Sequence, residues 1–503
     1  MNTLSSLLPS PIYRAQEIKL IEETLAKQPT PLGLMEKAGL AAAEFGLELF
    51  IDKPVVLILV GPGNNGGDAL VAARYLKSWF YQVTVVFTGN AEKLPPDAAK
   101  SLQSWKDAGG TIHDSIPDNV QWDWVVDGLF GIGLARDLDK RYLDLVKRVN
   151  QMQLPVLALD IPSGLDSDSG QPFRAAIRAT HTLTFLALKP GLLTAYGPDY
   201  CGEIHLDQLG IEPETLPPSK GNLLTQKQVI SALKPRPLNS HKGMLGSVGI
   251  LGGANTMTGA ALLAGRAALK CGAGLVYIGM LADSAPAVDI QQPELMLCAP
   301  EQLLEIEGIS CLVAGPGLGQ SDRALALLQN AISSDLPLIL DADALNLIAV
   351  HPDLASQLQN RKSASILTPH PAEAGRLLGC SNHEIQQDRI GSALVIASRQ
   401  NSIVVLKGAG SICAFTDETW YINPTGNPGL SSAGMGDVLS GMIGALIAQK
   451  LKPKQATLLS VYLHGAAADK LVSRGFGPIG LTASEVIDEA KHLLNNWVYG
   501  KNS

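Results

Sequence analysis

Glycines and amide or acidic residues crowd the stretch "GPGNNGGDAL" (61–70), directly after the apolar run "PVVLILV" (54–60). Glycines at four of these positions allow a tight turn and a close approach of backbone N–H groups to a ligand. Asn64, Asn65 and Asp68 add amide and carboxylate groups. An ordinary helix start with Asp68 as its capping carboxylate explains the same pattern. Because the spacing is not GxGxxG and no ribose-binding acid follows at the expected distance, a phosphate or a cation is favoured over a dinucleotide.

Three more polar residues, Asp127, Asp160 and Ser163, lie at or just past the ends of apolar runs in the same half of the chain. The carboxyl ends of parallel strands meet at one edge of a sheet, where ligands bind. Together with Asn65, these residues offer oxygens that suit a hard cation. Each residue alone is better explained as a turn residue, but four at one edge favour a cation site.

One acidic and one basic residue are placed for proton transfer. Asp160 ends the run "VLALD", and Lys189 ends the run "LTFLALK". A lysine that closes an apolar strand is either a surface residue with a buried stem or a buried functional amine. Opposite an aspartate at the ligand edge, the functional interpretation is favoured. The two residues are therefore predicted to act as a general acid/base pair.

The second half of the chain carries a stronger pattern, "GNPGLSSAGMGDVLSGMIGAL" (426–446). Gly434 and Gly436 stand at the start of an apolar helical pattern, with Asp437 in its first turn. Backbone N–H groups and the helix dipole favour an anion there. An aspartate beside such a site can take a proton from a hydroxyl that attacks phosphorus, while the amides stabilise the transferring group. A plain helix cap is the alternative.

Other loops in this half also suit a nucleotide. The run "VVLKGAGS" (404–411) ends in a lysine and small residues, and "AGPGLG" (314–319) allows close backbone approach. "TPHPAEAGRLLG" (368–379) places His370 after a strand and Glu373 in the next helix, and a purely structural role for His370 is a fair alternative. No Walker A motif is present.

Alternating short β-rich runs and helical patterns must position these residues. In the first half the apolar runs lie at 54–60, 83–87, 124–130 and 155–164, with helical patterns from Asp68 and from Arg141. A second series has runs at 247–253, 274–279, 311–319, 336–346, 365–373 and 402–411. Such alternation predicts βαβ units and parallel sheets, an α/β fold class. The segment 211–243 is rich in proline and polar residues, apart from one short helix, and predicts domains at 1–222 and 223–503.

Composition supports a globular enzyme scaffold. The 503 residues are 46% apolar, and the 50 glycines and 31 prolines follow no short repeat. The formal net charge is −8, without a basic cluster of the kind that binds nucleic acid. The six cysteines form no CxxC pair and are expected to be small core residues in a reducing compartment. The N-terminus lacks the pattern of a secretory leader and no apolar stretch is long enough for a membrane helix, so we expect a cytoplasmic protein.

These motifs together resemble a known family. "GPGNNGGDAL", "LFGIGLARDL" and "LDIPSGLDSDSG" resemble the epimerase domain of NAD(P)H-hydrate repair enzymes. "HKGMLGSVGILGG", "TPHPAEAGRLLG", "VVLKGAGS" and "GNPGLSSAGMGDVLSG" resemble the partner dehydratase domain. The resemblance covers essentially the whole chain. It implies a Rossmann-like α/β domain followed by a ribokinase-like α/β domain, in one bifunctional enzyme.

The resemblance implies that the first domain interconverts the R and S forms of hydrated NADH and NADPH. The predicted acid/base pair Asp160 and Lys189 would promote this interconversion. The resemblance implies that the potassium ligands are Asn65, Asp127 and Ser163. The residues that it implies for binding the hydrated cofactor are Asn64, Asn65, Gly66, Gly67, Asp68, Gly131, Ile132, Gly133, Leu134, Ala135, Arg136, Asp137 and Asp160.

For the second domain, the resemblance implies dehydration of the S form, with ADP converted to AMP and phosphate. From the residues themselves, Asp437 is the predicted catalytic base, and Mg²⁺ is expected to neutralise the phosphates. The residues that the resemblance implies for the hydrated cofactor are Ala260, Gly317, Gly319, His370 and Asp437. Those that it implies for the adenine nucleotide are Lys407, Gly408, Ala409, Gly410, Ser411 and Gly436.

A vitamin-precursor kinase with a fused, non-catalytic binding domain is the alternative, because ribokinase-like folds mostly phosphorylate hydroxymethyl groups. The resemblance of the first half argues against that alternative. We further expect small-molecule substrates, no nucleic-acid or membrane partner, and a homo-oligomer.

Overall fold

The computed structural model describes residues 2–3, 10–27 and 32–500. The chain divides into two compact units, Met1–Gly221 and Asn222–Ser503. The expectation about a leader rests partly on residues 4–9, which lie outside the described residues. Among the helices described, none is both long enough and apolar enough to cross a membrane.

The first unit alternates strands with helices along the chain. Its strands are β1 (Asn2–Thr3), β2 (Pro11–Ile12), β3 (Val55–Val60), β4 (Gln82–Phe87), β5 (Ile112–His113), β6 (Trp124–Gly128), β7 (Val156–Leu159), β8 (His181–Phe185) and β9 (Glu203–Asp207). Its helices are α1 (Ala15–Ala26), α2 (Leu34–Leu49), α3 (Asn64–Ser78), α4 (Pro96–Asp107), α5 (Lys140–Met152) and α6 (Gly197–Tyr200).

The sheet of the first unit runs in the order β1-β9-β8-β7-β6-β3-β4-β5. All of its neighbouring strands are parallel except β1, which is antiparallel to β9. Alternate residues of β3 enter two different cores: Val56, Ile58 and Val60 enter one, and Leu57 and Leu59 enter the other. Both faces of the sheet are therefore covered, as expected for parallel strands.

The second unit repeats this style with its own elements. Its strands are β10 (Gly221–Leu223), β11 (Ser247–Gly252), β12 (Leu275–Met280), β13 (Met296–Cys298), β14 (Cys311–Ala314), β15 (Leu338–Leu340), β16 (Ser365–Leu367), β17 (Ile403–Leu406), β18 (Ile412–Ala414) and β19 (Trp420–Ile422). Its helices are α7 (Gln226–Ile230), α8 (Thr258–Lys270), α9 (Asp322–Ser333), α10 (Asp343–Val350), α11 (Pro352–Gln359), α12 (Pro371–Leu378), α13 (Asn382–Gln387), α14 (Arg389–Arg399), α15 (Met435–Ala448), α16 (Pro453–Ser473) and α17 (Ala483–Tyr499).

Its sheet runs β13-β12-β11-β14-β15-β16-β17-β18-β19-β10. The strands from β13 to β17 are parallel, and β17, β18 and β19 form an antiparallel meander. Helix α15 is buried from Val438 to Ala448 and is apolar all round, as a core helix must be. This central position fixes where its N-terminus, and therefore Asp437, meets the strand ends.

The predicted α/β class with parallel sheets is confirmed in both units, and every predicted apolar run contains a strand. The short helix predicted in the proline-rich segment is α7. Four of the cysteines are buried, Cys201, Cys271, Cys311 and Cys413, whereas Cys298 and Cys380 are partly exposed.

Two local expectations were wrong. Helix α3 begins at Asn64 and not at Asp68, and Gly63 is its N-cap, so the alternative role of Asp68 as the capping carboxylate is excluded. Strand β8 ends at Phe185, and Lys189 lies four residues beyond it. The chain leaves the strand there because Leu186 is left-handed, with φ of 64°.

Gly61 is the point where the first unit leaves least room for a side chain. A Cβ atom at this position would overlap the backbone carbonyl oxygen of Leu129. We expect Gly61→Ala to lower the free energy of unfolding of this unit by more than about 2 kcal/mol, because two backbone segments would have to separate. Denaturant unfolding followed by tryptophan fluorescence measures this, since four of the six tryptophans lie in this unit.

Gly33 provides the matched control for this substitution. It is the N-cap of α2, and a Cβ atom there would meet nothing within 4 Å. We expect Gly33→Ala to lower the unfolding free energy by no more than about 1 kcal/mol, because alanine is a poorer N-cap than glycine but would clash with nothing. Equal effects of the two substitutions would contradict the packing argument.

Candidate active sites

Asp160 follows β7 immediately and takes a conformation that is rare for a residue with a side chain. Its φ is 65°, and its N–H donates to the carbonyl of Leu183 at 2.7 Å. Aspartate tolerates the left-handed region better than most residues, yet the conformation still costs energy. The turn directs the carboxylate towards Thr184 Oγ1, 3.3 Å from Asp160 Oδ1. Local strain of this kind is concentrated at functional sites.

Lys189 is buried behind Asp160. Its side chain is 1% exposed, and its ammonium group donates to Asp160 Oδ1, to Thr184 Oγ1 at 3.0 Å and to the carbonyl of Phe185 at 2.7 Å. All three N–H groups therefore have acceptors. The structure brings the two predicted catalytic residues together as a buried ion pair.

A cavity of about 1200 Å³ opens in front of this pair. The predicted ligand-binding residues that line it are Asn64, Asn65, Asp68, Gly131, Ile132, Gly133, Leu134, Ala135, Arg136 and Asp160. As far as the described residues show, two other predicted site residues, Lys189 and Asp137, do not line the cavity. Gly66 and Gly67 lie beneath the surface, where a Cβ atom would strike the carbonyl of Gly61 and the side chain of Met35, respectively.

Two further carboxyl groups face the same cavity. Burial raises the pKa of Glu22 to about 7, and the charge of Asp160 adds to this while Lys189 opposes it. Burial also raises the pKa of Asp68 well above its ordinary value, with contributions from Asp160 and Glu22. Sequence analysis missed Glu22, because nothing in the pattern of α1 indicates that this helix borders a strand end 138 residues later.

The predicted cation ligands occupy a buried polar position beside the cavity. Ser163 donates to Asp127 through its Oγ at 2.6 Å and through its backbone N–H at 2.8 Å. Burial raises the pKa of Asp127 to about 6, although these hydrogen bonds oppose the rise. Among the described residues, neither the oxygen nor the nitrogen of the buried Asn65 amide has a hydrogen-bond partner. Gly131 adjoins both parts of the site, because its Cβ position is 3.4 Å from Asn65 Cγ and from Asp160 Oδ2.

A second lysine–aspartate pair organises the other unit. Lys407 follows β17 and donates to Asp341 Oδ1 at 2.8 Å, and its ammonium group lies 3.9 Å from Glu373 Oε2. Burial opposes the charge on Lys407, but Asp341 and then Glu373 outweigh this effect, so the pKa of Lys407 is raised. Asp341 is 1% exposed and follows β15 directly.

The N-terminus of α15 lies against this pair. Gly434 is the N-cap with φ of 86°, a conformation that favours glycine. The Cβ position of Gly436 is 3.1 Å from Lys407 Nζ and 3.2 Å from Asp341 Oδ2. Burial raises the pKa of Asp437 to about 7, with Asp341 and Asp343 adding to the rise and Lys407 opposing it. Asp437 therefore titrates near neutral pH beside N–H groups that have no acceptor within their own helix.

His370 caps helix α12. Its Nδ1 accepts from the backbone N–H of Ala372 at 3.1 Å and of Glu373 at 3.4 Å, so the proton of the neutral ring is on Nε2. Burial, together with Lys407 and Arg376, lowers the pKa of His370. His370 therefore has a structural role as a helix cap, which sequence analysis gave as an alternative. Its side chain is nevertheless about half exposed.

The remaining predicted residues lie on neighbouring loops of this unit. The Cβ position of Gly317 is 3.2 Å from that of Ala260, and the N–H of Gly319 donates to Asp343 at 2.9 Å. In the loop of Lys407, Gly408 and Gly410 have φ of 136° and 60°, and Ser411 Oγ donates to the carbonyl of Gly408 at 3.0 Å. Ala409 lies between these two glycines.

Sequence analysis also missed Asp341 and Asp343, which border this site. Their signal was present, because "LILDAD" ends an apolar strand in an aspartate as "LALD" does at Asp160. Ala342 between them has φ of 48° and ψ of −113°, a strained backbone conformation for alanine.

Comparison with known proteins finds matches to both units. A family model described as NAD(P)H-hydrate dehydratase matches residues 248–491, and one described as YjeF-related protein N-terminus matches residues 31–191. The bifunctional NAD(P)H-hydrate repair enzyme Nnr of Escherichia coli is 39% identical, over 98% of this chain and 96% of that protein. The enzyme of the same name from Coxiella burnetii is 36% identical, over 96% of this chain and 99% of that protein.

Solved structures of other proteins are similar to part of the chain. The ADP/ATP-dependent NAD(P)H-hydrate dehydratase of Bacillus subtilis, co-crystallised with ATP and Mg²⁺, is 32% identical with a TM-score of 0.49, over 55% of this chain and 98% of that one. Because the full-length relatives match both units, this chain belongs to the family of bifunctional NAD(P)H-hydrate repair enzymes.

Proposed function

We propose that the chain repairs hydrated NADH and NADPH. The first unit interconverts the R and S epimers, and the second dehydrates the S epimer with ADP, which yields AMP and phosphate. The observation that carries this proposal is that relatives named bifunctional NAD(P)H-hydrate repair enzymes match both units at once.

Epimerisation requires one bond to the hydrated ring carbon to open and to close again on the other face. Whichever bond to this carbon opens, a proton must move to or from the substrate's oxygen. Asp160 lines the cavity and is the group that we assign to this transfer. Lys189, with its three N–H groups engaged, is a positioning residue that holds Asp160 in place. Glu22, with a pKa of about 7, is a second proton donor at the same cavity.

Residues of the loops around this cavity bind the hydrated cofactor. The loop Gly131–Arg136 and the start of α3 present backbone N–H groups to its phosphates. We assign Asn65, Asp127 and Ser163 to potassium, because the Asn65 amide oxygen is buried without a partner among the described residues. The hydrogen bonds that Asp127 accepts come from neutral groups, so a cation there would balance its charge.

Dehydration requires a better leaving group than hydroxide. In the second unit, Asp437 takes the proton of the substrate's hydroxyl as that oxygen bonds to the β-phosphorus of ADP, and AMP leaves. The ring then loses phosphate and the neighbouring C–H proton, which restores the reduced nicotinamide. N–H groups at the start of α15 stabilise the transferring group, and Mg²⁺ would neutralise the phosphates.

The remaining residues of the second site bind the two substrates. Lys407 to Ser411 and Gly436 hold the adenine nucleotide, and Lys407 supplies positive charge next to Asp437. Ala260, Gly317, Gly319 and His370 lie around the hydrated nicotinamide nucleotide.

Asp437→Asn should remove dehydration, with a fall in rate of about 10²–10⁴-fold, because the amide cannot take the proton. Asp353→Asn is the matched control, because Asp353 also lies in the first turn of a helix but is exposed.

Wild-type protein with a mixture of epimers, ADP and Mg²⁺ should restore the reduced-nicotinamide absorbance completely and form one AMP for each molecule repaired. A stable phosphorylated product would instead support a vitamin-precursor kinase.

Asp160→Asn should stop conversion of the R epimer while the S epimer is still dehydrated at the wild-type rate. Asparagine tolerates the left-handed backbone, so the turn is kept. Because the change leaves the buried Lys189 without a charged partner, circular dichroism of the variant must show that the fold is retained. Initial rates of absorbance recovery from purified R epimer separate enzymatic epimerisation from the slow spontaneous reaction. Asp114→Asn is the surface control. An Asp160→Asn protein that epimerises normally would remove Asp160 from the mechanism.

The kcat/KM for dehydration should rise with pH through about 7. Asp437 is a base only when deprotonated, and this parameter reports the free enzyme. Asp343→Asn removes a negative charge that raises the pKa of Asp437, so the rising limb should move to lower pH. Initial rates with S epimer at several pH values measure both profiles. A profile that is flat through neutral pH would rule out Asp437 as the titrating base.

A further inference from the structure

Two histidines and a glutamate meet on one face of the first sheet, away from both sites described above. His181 is the first residue of β8 and pairs in register with Glu203, the first residue of β9. His205 lies two residues after Glu203 and so projects from the same face. Asp160 and Lys189 lie beyond the opposite end of β8, so this cluster is not part of the epimerisation cavity.

The polar atoms of these three side chains face one another without being hydrogen-bonded. His181 Nδ1 is 4.0 Å from Glu203 Oε2, and His205 Nε2 is 3.6 Å from Glu203 Oε1. Among the described residues, His181 Nδ1 and both ring nitrogens of His205 are buried without a partner. His205 is only 5% exposed. Buried polar atoms of this kind are costly unless something binds them.

Burial lowers the pKa of both His181 and His205, although Glu203 opposes this. Neutral imidazoles present a lone pair at neutral pH, which is the form that binds a metal ion.

The spacing of the three groups suits a tetrahedral ion. One ligand atom from each residue can be chosen so that all lie within 4.8 Å of one another. Zinc bonds of about 2.0–2.1 Å at tetrahedral angles place ligand atoms about 3.3 Å apart, so each pair of ligand atoms would have to close by at most about 1.5 Å from the 4.8 Å limit. The Glu203 side chain is 53% exposed and can move towards both histidines, and the histidine rings would have to adjust to each other. Phe45 packs against the rings of both histidines and holds them in place.

We propose that His181, Glu203 and His205 form a binding site for a divalent late first-row transition ion of the zinc class, with water as the fourth ligand. Two nitrogen ligands and one carboxylate oxygen favour such an ion over K⁺ or Mg²⁺. Its role is to join the starts of β8 and β9. Because no described group orients the His205 ring through its second nitrogen, we expect affinity about 10–100-fold below that of a fully supported site.

The full-length protein without a tag, in buffer that contains K⁺ and Mg²⁺, should bind one Zn²⁺ in calorimetric titration. Zn²⁺ at about a hundredfold excess over its Kd should raise the Tm of the first unit by about 5–10 °C. Co²⁺ in its place should give the visible d–d absorption of a tetrahedral ion. Epimerisation activity is not needed as a readout, so the test is independent of the proposed function.

Two variants separate loss of the site from loss of the fold. Glu203→Gln changes an exposed side chain to a poorer ligand, and it should weaken Zn²⁺ binding at least tenfold. His205→Leu removes two unpaired buried nitrogens, so it should abolish binding while the Tm without metal stays at or above the wild-type value. His113→Asn is the control, because His113 is an exposed histidine in β5 of the same sheet. Binding that both site variants retain, or no stoichiometric binding by the wild type, would overturn the proposal.

Discussion

The side chains of Lys189 and Lys407 are 1% and 22% exposed, and each ammonium group is held by an aspartate that directly follows a parallel strand. Removing one partner of such a pair leaves an uncompensated buried charge, which is strongly destabilising. The pair therefore fixes the strand ends and the loops around it. In the first unit this constraint holds Asp160 against the cavity, and in the second it seats the start of α15 through Gly436.

Strained backbone accompanies both pairs. Asp160 has φ of 65°, and Ala342, next to Asp341, has φ of 48°. Conformations of this kind persist only when the surrounding structure determines them more strongly than local preference. The buried strands on either side and the ion pairs themselves hold these residues in their strained conformations. The result in each unit is a carboxylate whose position is set by packing before any substrate binds, which is what transfer of a proton or a phosphoryl group requires.

Much of this arrangement was predictable because its signals are local. Asp437 in the first turn of α15, His370 before α12 and Lys407 after β17 follow from neighbouring residues alone. Contacts between distant segments were not predictable in this way. Glu22 reaches the cavity only through tertiary packing of α1, and the glycines before Asp68 enter α3 because Gly66 and Gly67 pack tightly against Gly61 and Met35. Tertiary contact there outweighs the low helix propensity of glycine.

The first sheet ends on both sides in strands of two residues, β1 and β5. An exposed strand edge invites another chain to add to it, and very short edges limit that risk. As far as the described residues extend, β1 and β5 each offer a neighbouring copy a backbone ladder of only two residues. Strand addition to these two outer strands is therefore disfavoured.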